Sequence, residues 1–104
     1  MQGPFTAGSL SGQMANSQSD WETRNLMRGE KYQVIKSFVD SDGSEHPVGE
    51  EWVCIGSMFS KFDDELAVCA KLQDGSEWRI PLIWKVNKQQ NIIENWGNYV
   101  MLSK

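Results

Sequence analysis

The sequence predicts a mainly β fold, a small five-stranded barrel with one or two short helices. Three observations predict it. Short runs rich in β-branched and aromatic residues recur at 32–39, 51–56, 66–72 and 78–84. Turn-forming clusters separate them, above all Asp40-Ser41-Asp42-Gly43 and Asp74-Gly75. The 104 residues suffice for one domain with one core. Pairing the first and last strands would close the barrel and remove its exposed edges.

Residues 1–19 carry no charge and are rich in Gly, Ser, Gln and Asn, with no apolar period. Such a stretch buries too little surface to offset the entropy of ordering it. It reads as a disordered lead, native or vector-derived, and Met14 is a candidate natural start. The single folded domain is then 20–104. Ser19-Asp20-Trp21-Glu22 fits a capping box, and a short helix ending at Gly29 is expected to dock Trp21 or Leu26 on the domain.

The first strand is expected at 32–39. Residues 40–47 carry turn chemistry, and the second strand follows at 51–56, with Trp52 and Cys54 on one face and Val53 and Ile55 on the other. Residues 59–65 read as a loop. The third strand, 66–72, places Leu66, Val68, Ala70 and Leu72 on one face. Asp74-Gly75 is a hairpin signal. The fourth strand lines up Trp78, Ile80, Leu82 and Trp84. Pro81 has no N–H to give a ladder, so it belongs at an edge or a bulge. Residues 88–95 suit a short helix ended near Gly97, and 99–102 form the last strand.

Charge and cysteine usage exclude several classes. The net charge is −4, from 14 acids and 10 bases. Nucleic acids and anionic membranes are bound chiefly through Lys and Arg, so neither is an expected partner. No apolar run approaches the roughly 20 residues of a membrane span. The first 20 residues lack the basic and apolar regions of a secretory signal. Cys54 and Cys69 have no C-x-x-C spacing and read as buried thiols in a reducing compartment, by default the cytoplasm.

The acids are segregated. Residues 40–65 hold Asp40, Asp42, Glu45, Glu50, Glu51, Asp63, Asp64 and Glu65 against Lys61 alone. Turns favour Asp for their own backbone bonds, which is the simpler account. The functional account is an acidic face that attracts a basic protein or peptide. Five Trp are many for so small a core, and Trp is enriched at binding hot spots. Trp52 and Trp96 are the candidate anchors; an exposed Trp patch would equally suit a second copy of the chain. The candidate binding residues are therefore Asp40, Asp42, Glu45, His46, Trp52, Asp63, Asp64 and Trp96.

His46 is the only histidine. A zinc site needs three or four ligands, and one His with two Cys falls short. A calcium loop needs Gly at its sixth position, whereas Gly43 stands fourth from Asp40. No cofactor or metal is expected, and no catalytic residue is assigned.

One stretch resembles a known family. Leu26-x-x-Gly29-x-x-Tyr32-x-Val34-x-x-x-Phe38-x-Asp40-x-Asp42-Gly43-x-x-His46-x-x-Gly49-Glu50-x-Trp52 resembles a bacterial family catalogued as a domain of unknown function. Gly56, Phe59, Asp63, Asp64 and Leu66 continue the pattern, and residues 92–100 follow it loosely. Cys54 departs from it, where the pattern implies an aromatic. The resemblance implies no activity. The strand order also resembles a Src-homology-3-like barrel, although the aromatic motif and the double Trp of those domains are absent; fold analogy of this kind implies no function.

The expected function is a protein- or peptide-binding module with an acidic, Trp-bearing surface. The alternatives are a small-ligand binder or hydrolytic enzyme using His46 with nearby carboxylates, and a structural or phage-type inhibitor protein with an acidic surface.

Overall fold

The apolar runs form strands wherever a neighbour completes their hydrogen bonds. The computed structural model describes residues 1–10, 26–60, 64–84 and 87–103. β1 (Gln2–Phe5), β2 (Lys31–Val34), β5 (Glu51–Ser60), β6 (Glu65–Lys71), β7 (Glu77–Ile83) and β8 (Val100–Leu102) make one antiparallel sheet in the order β1-β7-β6-β5-β2-β8. β3 (Phe38–Val39) and β4 (Glu45–His46) make a separate hairpin. Helix α1 (Asn87–Glu94) and a 3-10 turn (Trp96–Asn98) lead into β8.

The expected mainly β fold with a short helix is found, and the expected five-stranded barrel is not seen among the described residues. The main sheet has six strands, and its end strands β1 and β8 do not pair among the described residues. The added strand is β1, which falls inside the expected disordered lead. Gln2 pairs with Arg79 and Phe5 with Glu77. Phe5 and Leu10 pack with Ile55 and Cys69 as a second apolar cluster. The Leu10 N–H donates to the buried Glu77 carboxylate at 2.7 Å. A charge-free segment without periodicity gives no strand signal, so its order comes from the partners it meets. The rest of the lead, and the expected helix through residue 25, lie outside the described residues. Leu26 is buried in the main core, as expected for a docking residue.

Strand β6 explains why a second cluster is needed. It lies between β5 and β7. Its Leu66, Val68 and Ala70 join the main core, while Cys69 turns to the opposite face and meets Leu10. Burying about one side chain of this kind contributes roughly 1.5–3 kcal/mol, so covering the second face with residues 1–10 is a substantial stabilising contact. β7 takes β1 only near Glu77 and Arg79. At Pro81 its outer side pairs with no strand, and the Pro81 carbonyl accepts the Ser41 N–H at 2.8 Å. This is the edge position that a residue without an N–H requires.

Two strand boundaries differ from expectation. The expected strand over 32–39 breaks after Val34, because the Ile35 and Lys36 N–H groups both turn to the Tyr99 carbonyl, at 2.7 and 3.2 Å. The chain then leaves the main sheet to form β3. The expected loop over 59–65 is shorter: Phe59 pairs with Leu66 and Ser60 with Glu65 across the β5–β6 hairpin. The Asp74-Gly75 turn joins β6 to β7, with Gly75 at φ +87° and Leu72 bonded to Ser76.

Candidate functional site

The break after Val34 builds a site. The shared Tyr99 carbonyl holds Lys36 beside the Tyr99 ring, with Nζ 5.0 Å from the ring centroid. Two residues on, β3 places Phe38 at the centre of an aromatic group. Its ring stacks on His46 at 4.7 Å and meets Trp96 and Tyr99 edge-on at 5.7 and 6.0 Å. Helix α1 packs against β7 and brings Gln89, Asn91 and Ile92 opposite this group. Between α1, the 36–39 segment and Tyr99 lies a cleft of about 490 Å³. Its apolar part is Phe38, Val39 and Ile92.

The polar groups of the cleft are unevenly satisfied. Gln89 is 8% exposed, and its Oε1 accepts the Ile83 N–H at 2.7 Å, which fixes the amide orientation. Its Nε2 has no partner among the described residues. Asn91 donates Nδ2 to the Tyr99 hydroxyl at 3.3 Å and accepts from Asn95 on Oδ1 at 2.9 Å. The Tyr99 hydroxyl thus keeps its own proton to donate. Ser37 and Lys36 add a hydroxyl and an ammonium. No carboxylate lines the cleft among the described residues.

Behind Phe38 stands a buried ionic group. His46 is 0% exposed; Nε2 meets Asp40 Oδ2 at 2.7 Å and Nδ1 meets Glu50 Oε2 at 2.8 Å. Asp40 Oδ1 also accepts the N–H groups of Asp42 and Ser44, at 2.9 and 3.1 Å, which closes the β3–β4 turn. The Met1 α-ammonium reaches the same Asp40 carboxylate. Burial pulls the His46 imidazole down, but the bonds to Glu50 and Asp40 prevail and hold it above its ordinary value. Burial raises Asp40, yet the bonds from the α-ammonium, His46 and Ser44 prevail and hold it low.

This group does not have the layout of a catalytic dyad. Both imidazole nitrogens are bonded to carboxylates, and the ring lies against Phe38 away from water. The imidazole stands between the two carboxylates, and no group of three or more His, Cys, Asp or Glu among the described residues is placed to hold a metal ion. Both thiols are buried, as expected, and burial pushes the Cys69 thiol up to about 11.

The expected binding residues are dispersed. Trp52 and Trp96 are each 1% exposed and belong to the main core, which corrects their expected role as surface anchors. Both rings pack in the main core with the strand residues Leu66, Val68, Ile80 and Leu82 and with Ile92 and Ile93 of α1. Asp40 and His46 are buried together, which is a correction for both as surface contacts. Asp42 and Glu45 are exposed on the β3–β4 hairpin. Asp64 sits at φ +48°, and its carbonyl accepts the Trp84 N–H. Asp63 lies outside the described residues. The acidic band divides further, since Glu51 bonds Lys31 and Ser103 while Glu65 bonds Arg79.

Sequence reasoning missed the cleft residues Lys36, Ser37, Gln89, Asn91 and Tyr99. No spacing connects 36–39 with 89–99; the bonds to the Tyr99 carbonyl and the ring contacts of Phe38 and Lys36 join them. It also missed Glu77, whose burial depends on the N-terminal segment.

No family model matches the chain, and no curated protein matches it. Among solved structures, an integron cassette protein from the mobile metagenome of Vibrio cholerae is similar, with a TM-score of 0.74 and 26% sequence identity, over 79% of this chain and 90% of that chain. The likeness supports a small, mainly β bacterial protein. No helix among the described residues is long and apolar enough to cross a membrane.

Proposed function

We propose that the protein is a non-catalytic binding module, and that its ligand sits in the cleft between α1, the 36–39 segment and Tyr99. The observation that carries this reading is the Gln89 side chain: the Ile83 N–H holds its Oε1 in one orientation, and its amide nitrogen, without a partner among the described residues, is left to meet a ligand in the cleft it lines. The volume of about 490 Å³ lies within the usual range for small-molecule sites. The apolar part supplies contact area, and the polar groups around it supply orientation.

A fragment screen on the full chain, read by amide chemical shifts, tests the proposal. Hits should move residues 36–39, 89–92 and 99 together. Val39→Trp, at a half-exposed position on β3, should fill the cleft and abolish those shifts. Hits that move other surfaces and ignore Val39→Trp would sink the proposal.

A second reading keeps the expected basic protein or peptide. It rests on the exposed Asp42 and Glu45 of the β3–β4 hairpin, without the two Trp anchors. Pull-down at low salt with wild type and with Asp42→Lys, Glu45→Lys tests it. A basic partner retained equally by both would refute it.

A further inference from the structure

We infer that the cleft ligand is a small organic anion, a carboxylate carried on an apolar or aromatic body. The inference rests on the cleft being the binding site, as proposed above, and deepens it by ligand class.

The argument is a count of donors against acceptors. Each of the two amide oxygens of the cleft already accepts a bond inside the protein: Gln89 Oε1 from the Ile83 N–H, and Asn91 Oδ1 from Asn95. What remains towards the cleft is donor-rich. Gln89 Nε2, the Tyr99 hydroxyl proton, the Ser37 hydroxyl and the Lys36 ammonium can all donate. A ligand that supplies acceptors and no donors fits this set, and an ionised carboxylate is such a group. Bonds from charged donors to a carboxylate are also shorter and stronger than neutral ones.

Charge points the same way. In a chain with a net charge of −4, this cleft is lined by one ammonium and, among the described residues, no carboxylate. The nearby acids Asp40 and Glu50 are turned behind Phe38 and bonded to His46. Lys36 is placed for the task. Its own N–H is tied to the Tyr99 carbonyl, and its ammonium rests by the Tyr99 ring, which a planar anion could extend as a stack. Phe38, Val39 and Ile92 offer the apolar body of the ligand its contact.

Three probes of one shape and different charge test the inference: phenylacetate, phenylacetamide and phenethylammonium, titrated into the full chain and read by amide shifts. Phenylacetate should move residues 36–39, 89–92 and 99, and the amide should bind at least about tenfold more weakly. Lys36→Gln should reduce phenylacetate to the level of the amide, and Lys36→Arg should restore most of the difference. Lys36 is exposed, so neither variant threatens the fold. Equal binding of all three probes at the cleft, or preference for the ammonium, overturns the anion inference while leaving the cleft as the site. Absence of shifts at the cleft with every probe, in a folded chain, overturns both.

Discussion

Replacing His46 by Phe removes both ring-nitrogen bonds yet keeps an aromatic ring against Phe38. The loss of stability therefore reads the ionic group rather than the packing. Asp40 and His46 side chains are 0% exposed and that of Glu50 is 18% exposed. Removing one partner from a buried pair costs about 3–5 kcal/mol, because it leaves a charge unpaired. Asp40 keeps the N–H bonds of Asp42 and Ser44, and Glu50 can turn towards water. These put His46→Phe near the low end, about 3 kcal/mol. At about 4–8 °C per kcal/mol for a domain of this size, Tm should fall by about 12 °C or more.

The pH dependence follows from the two shifted groups. His46 titrates above 6.5 in the folded state, so its stabilisation is complete below 6.5 and fades as the pH rises through the folded value. Asp40 titrates below 3.8, so its stabilisation is present above 3.8 and is lost as the pH falls through the folded value. The deficit of His46→Phe should thus be greatest between 3.8 and 6.5 and shrink in alkali. Urea unfolding followed by Trp fluorescence, repeated across pH, measures it. A deficit under about 1 kcal/mol, or one unchanged from acid to alkali, would refute the view that the ion pairs hold this corner.

Two further predictions concern the N-terminal segment and the β6–β7 turn. Leu10→Ala should cost about 2–3 kcal/mol and open the second cluster. Cys69, buried and with its thiol pushed up to about 11, should then react faster with a thiol reagent under native conditions than in the wild type; an unchanged rate would mean that residues 1–10 do not cover it. Gly75→Ala should destabilise the β6–β7 hairpin by about 1–2 kcal/mol, since Gly75 sits at φ +87° with open space around it. No loss of urea stability would show that the turn relaxes to another type.

The sequence by itself determined the class and most of the strands. β-branched and aromatic runs alternate with a period of two, and that pattern does not depend on distant residues. It therefore located β5, β6, β7 and β8 to within a few residues, the Asp74-Gly75 hairpin, the edge position of Pro81 and the helix near residue 90. Three things were decided only by tertiary structure. The N-terminal segment has no period to read, and it becomes a strand because β7 offers an edge and β6 an uncovered face. Trp52 and Trp96 could have been surface anchors or core, and the main core took them. The cleft joins residues fifty or more positions apart, through the Tyr99 carbonyl and the ring contacts of Phe38 and Lys36. Local preference is a property of neighbours along the chain, whereas a site of this kind is a property of which segments meet, and only the folded chain settles that.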